Sequence, residues 1–284
     1  MRSFLLLLIA CLMITDAQAK LKIPNVVFTG MYFQWGYNRD IYSKSDLHFV
    51  NGNDYNFTIY GAKAHDQPDF SGFRTNPIDI TIPQNVYRIG FYLNKKHTHA
   101  IEINFDHAKY VVTDYQKVHI KGQIGGETFD RQDTILYPYF VHMEHTNGAN
   151  FYHINYVGQQ ELLHDKKRDF MRASVIWKAG AGIVVPKSDI FLMGQHLDNK
   201  FHVAGYIAGI EGGLRIYPFR NFFFEATGKG GFANYLNVLT VADGGRIHHH
   251  FWFGEIIGTF GFDVNFRKYS YKRRMKEKAA MQQE

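Results

Sequence analysis

The chain has 284 residues, a formal net charge of +6, 16% aromatic residues, Gly 26, Pro 7 and one cysteine. A single thiol excludes a disulfide framework, and no later segment has the roughly 18 continuous apolar residues of a membrane helix. The positive charge is partly local, with Arg267, Lys268, Lys272, Arg273, Arg274, Lys276 and Lys278 crowding the C-terminus. In an exported chain this reads as a solvated tail rather than a nucleic-acid surface.

Export is read from the first segment. Met1-Arg2-Ser3 is a short basic start, residues 4–14 are apolar, and Ala17-Gln18-Ala19 is a small-x-small cleavage site. This is the pattern of a secretory signal peptide over 1–19. Leu8-Ile9-Ala10-Cys11 also has the form of a lipoprotein site, but the apolar run before Cys11 is short. Cleavage after Ala19 removes the only cysteine and leaves a barrel unit over 20–267 with a basic periplasmic tail over 268–284.

Eight strands are predicted, over 26–38, 80–94, 99–112, 150–159, 170–185, 200–216, 222–235 and 250–266. In the last, Trp252, Ile256, Phe260, Phe262, Val264 and Phe266 share one face, and Glu255, Thr259 and Asp263 alternate with them. That is the period of a β-strand with one apolar face. The connections alternate between short (95–98, 160–169, 217–221) and long (39–79, 113–149, 186–199, 236–249). With both termini in the periplasm, every long connection is extracellular, as in outer-membrane barrels. Further hairpins at 45–64 and around 117–124 are placed above the membrane, because counting them as spanning strands breaks this parity. A soluble sandwich or lipocalin-like barrel would show the same alternation with the apolar face inward. Strand length, loop parity, leader and aromatic density together favour an all-β, eight-stranded antiparallel up-and-down transmembrane β-barrel, monomeric in the bacterial outer membrane.

Strand phase assigns the faces. Arg88, Glu102, Asp106, His153, Asn155, Arg172, Lys178, Glu211, Arg215, Glu225, Lys229, Glu255 and Asp263 point inward; Ile89, Phe91, Ile103, Phe105, Ile154, Trp177, Ile210, Phe224, Phe260 and Phe262 point outward. The inward charges nearly balance. An eight-stranded lumen is just wide enough for side chains, so a plugging salt-bridge network is expected rather than a pore.

No P-loop, GxSxG elbow, HExxH or cysteine metal motif occurs. His248-His249-His250 cannot all converge, because adjacent strand residues face opposite ways. A better constellation lies where two strand edges meet. Asp106, His107, Glu144 and His145 are the candidate catalytic residues, with Lys109, Asn147 and Asn150 as substrate-binding residues. Carboxylates with imidazoles can move protons or hold a divalent metal ion, so such an ion is the candidate cofactor. Asn147-Gly148 is also a strong turn signal, and the flanking polar groups would then only be solvated.

The segments Asn104-Phe105-Asp106-His107-Ala108-Lys109, Glu144 to Asn150, the glycine-rich strand Gly180-Ala181-Gly182 and Phe224-Glu225-Ala226-Thr227-Gly228-Lys229 resemble outer-membrane proteins of the lipid A oxidase-like family. Those proteins have Asn where Asp106 stands and Asp where Asn147 stands. The resemblance implies oxygen-dependent oxidation of the proximal glucosamine of lipid A to aminogluconate in the outer leaflet, and lipopolysaccharide as the partner. It carries over no catalytic residues. A lipid A deacylase is disfavoured: such barrels place a His-x-Ser pair on the wall to attack an ester, and His145-Thr146-Asn147 lacks it. The alternative is a non-enzymatic surface barrel whose loops 39–79 and 113–149 bind a partner, with Tyr42, Tyr55, Tyr60, Phe70 and Phe73 as the contact aromatics.

Overall fold

A computed structural model describes residues 28–67, 84–145, 148–164, 171–198, 200–240, 244–266 and 275. The expected leader, the basic tail apart from Met275, and Asn147 lie outside these residues. Strands are numbered in chain order. Eight form a ring: β1 (Gly30–Tyr42), β5 (Asn85–Tyr92), β6 (His99–Asp106), β11 (Phe151–His164), β12 (Arg172–Val184), β15 (Gly205–Tyr217), β16 (Phe222–Leu239) and β17 (Arg246–Asn265). Each pairs antiparallel with its neighbours, and β1 closes on β17 from Gly30↔Asn265 to Tyr42↔Phe253.

Alternation decides both surfaces. Ile103, Ile154, Trp177, Ile210, Phe224 and Ile256 are exposed, while Arg88, Glu102, Lys178, Glu211, Arg215, Glu225 and Lys229 are buried. One ring of aromatics marks the short-turn end, where Phe28 meets Phe91 at 5.3 Å. A second marks the other end, with Phe105 against Tyr152 at 4.9 Å and Phe232 against Trp252 at 5.1 Å. A continuous exposed apolar band between two aromatic girdles, around a charged interior, is the surface of a transmembrane barrel. The protein sits in the outer membrane with its long connections outside.

Inside, charges are paired. Arg88 binds Glu211 at 2.7 Å and Glu225 at 3.2 Å. Lys178 reaches Glu225 at 2.8 Å and Glu102 at 3.1 Å, and Arg215 reaches Glu225 at 2.6 Å. Nearer the outer end, Lys229 joins Asp106 to Glu255. Tyr32 donates to Glu102 at 2.7 Å and Tyr92 to Asp263 at 2.8 Å. The lumen is filled by this network.

The remaining strands build a cap. β2 (Ser45–Asn51), β3 (Tyr55–Ala62), β8 (Lys117–Ile124) and β9 (Glu127–Ile135) extend the wall sheet outward from β17, as two hairpins above the membrane. A second sheet runs β14 (Gln195–Asp198), β13 (Asp189–Leu192), β10 (Val141–His145), β7 (Tyr110–Val112), β4 (Ala64–His65). Leu47, Phe49, Phe57 and Ile59 from the first sheet share one core with Tyr110, Val141, Met143 and Ile190 from the second. Phe151, Val184 and Phe253 at the barrel mouth join that core, so the cap closes the outer end.

Several sequence expectations change: β1 runs on to Tyr42, past the 38 predicted, and β11 to His164, past the 159 predicted. The strand predicted over 99–112 ends at Asp106, and Tyr110–Val112 leaves the wall for the cap sheet. The connection predicted over 236–249 shrinks, because β16 and β17 continue as a ribbon past a bulge between Tyr235 and Val238. There Val238 and Ile247 enter the cap core, which supplies the burial that strand continuation needs. The strand predicted from 200 begins at Gly205.

A histidine pair lies on the cap floor. His145 Nε2 meets His249 Nε2 at 3.3 Å, His145 Nδ1 meets Ser188 Oγ at 2.7 Å, and the Tyr235 ring stacks on both imidazoles. Burial, with repulsion from His202 outweighing attraction from Glu144, pulls His145 down to about 3. Burial and the neighbouring His145 and His250 hold His249 well below the usual imidazole range. Above them, His142 bonds Asp114 at 2.9 Å and lies 3.7 Å from Glu144. Glu144 first, then Asp114, raise it to about 9 against the opposing effect of burial.

Two outcomes are expected. Lys178→Met leaves Glu102, Glu211 and Glu225 short of a cation and should cost about 3–5 kcal/mol, read as a lower urea midpoint in bilayers; Lys178→Met with Glu102→Gln should recover part of it. For the cap, His145 and His249 contribute stability fully above about pH 6.5 and lose it as pH falls. His142 contributes fully below about pH 6.5 and loses it as pH rises toward about 9. Protection of β7 and β10 amides from exchange, corrected for intrinsic rates, should therefore peak near pH 6.5 (roughly). In His145→Phe/His249→Phe the acid limb should vanish; an unchanged profile there would refute the assignment.

Candidate functional site

The site is built where β6 and β11 end together at the outer girdle. In the ladder, Asp106 pairs with Phe151, and the chain turns away from the wall immediately afterwards. His107 keeps one backbone bond to the barrel, donating its N–H to the Asn85 carbonyl at 2.9 Å. Ala149 N–H bonds the Ala108 carbonyl at 2.8 Å, which holds the two departing chains side by side. Asn150 is left-handed with φ 39°, a region that asparagine tolerates better than most residues. Gly148 has φ 110°, and a Cβ there would collide with the Asn150 amide. The glycine therefore leaves Asn150 room to turn toward His107.

The hydrogen bonds specify a tautomer. Asn150 Nδ2 donates to the Val185 carbonyl at 3.0 Å, so Asn150 Oδ1 is the acceptor for His107 Nδ1, 2.9 Å away. His107 then carries its proton on Nδ1 and offers a lone pair on Nε2. That Nε2 is buried and, among the described residues, has no hydrogen-bond partner; the same holds for Asn85 Oδ1 on the adjoining strand end. Burial lowers the proton affinity of His107, opposed by the bond to Asn150 and reinforced by the charge of Lys109. Lys109 itself is buried, and its carbonyl accepts the Tyr42 hydroxyl at 2.6 Å.

Two of the predicted site residues, His107 and Asn150, are thus in contact, and the charge of Lys109 reaches His107. The others are not. Asp106 shares the inward face with Glu102 and Asn104, accepts from Asn104 at 2.8 Å and binds Lys229 in the lumen. Period-two alternation puts its carboxylate on the opposite side of the wall from His107. Glu144 lies in the cap sheet beside His142, and His145, adjacent in β10, points the other way onto His249. Among the described residues no three His, Cys, Asp or Glu side chains converge as a metal site; the predicted acid–imidazole set does not form one shell.

Of the histidine run, only His249 enters the core, as alternation requires. Of the proposed contact aromatics, Tyr42 packs partly buried against Tyr110, and Tyr55 is buried in the cap. Tyr55 faces inward because its hairpin folds over the barrel mouth, and Tyr42, at the end of β1, packs against the same core. Tyr60 is exposed and stacks on His119; Phe70 and Phe73 lie outside the described residues. Sequence reasoning missed Asn85, Asp114 and Ser188, which carry no motif and matter only through contacts distant in the chain.

No protein-family model matches the chain, and no curated protein does. Among solved structures it is similar to the Neisserial surface protein A (TM-score 0.34, 9% identity, covering 82% of this chain and 96% of that one). It is also similar to Ail, the attachment invasion locus protein of Yersinia pestis (0.32, 10%, 84% and 99%). A third is the outer membrane protein OprG of Pseudomonas aeruginosa (0.35, 9%, 84% and 97%). At these values the likenesses carry no argument about a shared site, and the barrel assignment rests on the closed ring and its two faces.

Proposed function

We propose that this outer-membrane barrel modifies the glycolipid of the outer leaflet, oxidising the proximal glucosamine of lipid A, with His107 as the general base. The observation that carries this reading is the contact between the two segments that resemble the lipid A oxidase-like family: His107 Nδ1 and Asn150 Oδ1, 43 residues apart in sequence, lie 2.9 Å apart. Asn150 orients the imidazole, and burial keeps it neutral, so Nε2 can accept the proton of a sugar hydroxyl. In the oxidation, the free anomeric hydroxyl gives its proton to Nε2. The anomeric C–H bond breaks, its hydrogen and electron pair pass to dioxygen as hydroperoxide, and this takes the proton back from Nε2, leaving a lactone, hydrogen peroxide and a neutral imidazole. Water then opens the lactone to the aminogluconate, a net gain of one oxygen atom.

A second reading, a surface barrel that binds a partner, is favoured by one feature of the cap. Tyr115, Tyr137 and Tyr139 are exposed with their rings in contact, Tyr137 stacked on Tyr139 at 5.4 Å. Contiguous exposed aromatics of this kind commonly mark interaction surfaces.

Lipid A from cells carrying the gene should show an oxygen-dependent mass gain of one oxygen atom that disappears on deletion. His107→Gln should reduce the product by about 10²–10⁴-fold, and Asn150→Ala by a smaller factor, through loss of the tautomer. An unchanged lipid A spectrum on deletion would sink the enzyme and leave the surface-binding reading.

A further inference from the structure

The lipid-facing wall is not uniformly covered by large side chains. Between Phe224 and Phe232 the outward residues of β16 are Ala226, Gly228 and Gly230. The register lays further small residues beside them, with Gly258 opposite Ala226, Gly212 opposite Gly228 and Gly254 opposite Gly230. Larger outward side chains border these rows. Trp177 and Ile256 stand on either side of the Gly212–Gly228 pair, and Ile210 and Ile41 on either side of Gly230–Gly254. Such ridges are three strand spacings apart, about 14 Å between backbones. The result is a trough of about 740 Å³ on the outside of the barrel. A second depression of about 410 Å³ prolongs it toward the short-turn end, over Ala226 and Gly258. The ladder pairs Phe232–Trp252 and Phe224–Phe260 stand at its two ends. Its floor is open: a Cβ on Gly228, Gly230 or Gly258 would meet no atom within 4 Å.

Three features select the occupant. The trough lies in the apolar band between the aromatic girdles, so hydrocarbon and not water faces it. There an unfilled depression forfeits dispersion contacts, and packing is what drives association. Next, a cation stands at the outer end. Arg39 lines the trough, faces outward between Tyr37 and Ile41, and pairs with Ile256 in the ladder. Tyr37 pairs with Asn85, where β5 starts, so Arg39 stands two residues beyond the outer end of that strand, at headgroup level. Asp66 holds Arg39 Nε at 2.7 Å, and the side chain is 53% exposed. A guanidinium presents five donors in a planar fork, which suits a phosphate. Last, the volume falls within the roughly 300–1,000 Å³ of small-ligand sites. A stable contact with a second barrel needs about 800 Å² on each partner, and a second convex wall would rest on the Trp177 and Ile256 ridges above an unfilled floor.

We infer that the trough seats an acyl chain of lipid A, with Arg39 on the phosphate of the same molecule. A lipid of the outer leaflet has its headgroup on Arg39's side of the membrane and its chains directed along the trough. β16 stands opposite β6 in the eight-strand ring, so this site is separate from the His107 rim and does not depend on the proposed enzyme. Arg39 is a binding residue for the headgroup, and the glycines are binding residues through the side chains they lack.

The full-length barrel, extracted in detergent and stripped of loosely held lipid, is titrated with lipid A, with dephosphorylated lipid A and with phosphatidylglycerol; native mass spectrometry reads the lipid bound per barrel. The wild type should hold one lipid A and prefer it to the dephosphorylated form by about tenfold. Gly228→Leu/Gly230→Leu places side chains in the open space of the trough and should weaken both forms by about tenfold. Arg39→Gln should bring lipid A down to the level of the dephosphorylated form. Ala181→Leu, an outward substitution on β12 outside the trough, should leave binding as it is. Heat-dependent gel mobility confirms that each variant is a folded barrel. Unchanged binding in the double leucine variant, or equal binding of the two lipid A forms by the wild type, would overturn the inference. So would phosphatidylglycerol held as tightly as lipid A, which would assign the trough to a glycerophospholipid. A barrel dimer that the two leucines break would assign it to a second copy of the chain and equally remove the proposal.

Discussion

Glu225 receives three cations inside the barrel, Arg88 at 3.2 Å, Lys178 at 2.8 Å and Arg215 at 2.6 Å. These side chains come from β5, β12 and β15, so one carboxylate ties together strands spread around the ring. In an interior too narrow for bulk water, each charge is tolerable only because its partners are present. That mutual dependence makes the lumen a rigid plug and excludes wide transport through it. It also sets the phase of every strand: a slip of one residue would expel the charges into lipid and draw isoleucine and phenylalanine inward. The apolar exterior and the ionic interior are therefore one constraint seen from two sides.

The cap follows from the same geometry. A lumen full of salt bridges needs a seal at its outer end, and the cap core meets Phe151 and Phe253 directly above Lys229. The His145–His249 contact joins the second cap sheet to the β17 wall and works only with both rings uncharged. The rigid floor then supports the rim. Tyr235, stacked on both histidines, donates to the Ala149 carbonyl at 3.2 Å, one residue before Asn150. The histidine pair and its stacked tyrosine thus brace the backbone that carries Asn150. Loops on a rigid scaffold commonly carry specificity; here the chemistry-bearing residues sit at the strand-to-loop junction, held more firmly than a free loop would hold them.

Much of the barrel was legible in the sequence because alternation is a local property. A strand one residue from Ile103 must present Glu102 and Asn104 to the other face, whatever its neighbours are. The inward and outward sets follow from that rule; the connections do not, and β16 and β17 run on into the stretch predicted as a long one. The same rule already separated Asp106 from His107, and grouping them as one cluster overlooked it. The cap was not legible. Its strands are short, their apolar residues belong to a core shared by two sheets, and nothing local tells Tyr110–Val112 to leave the wall after Asp106.

The amino-acid order alone determined that this is an all-β chain with a charged interior and a lipid-facing exterior, because period-two patterning acts over neighbouring residues. Only the tertiary structure decided which polar groups meet. His107 finds Asn150 through the antiparallel pairing of β6 with β11 and a left-handed backbone turn. Asp106 joins Lys229 in the lumen and not its neighbour His107, because adjacent strand residues face opposite sides of the wall. Contacts of that kind depend on register, turn geometry and burial across distant segments, which no single stretch of sequence contains.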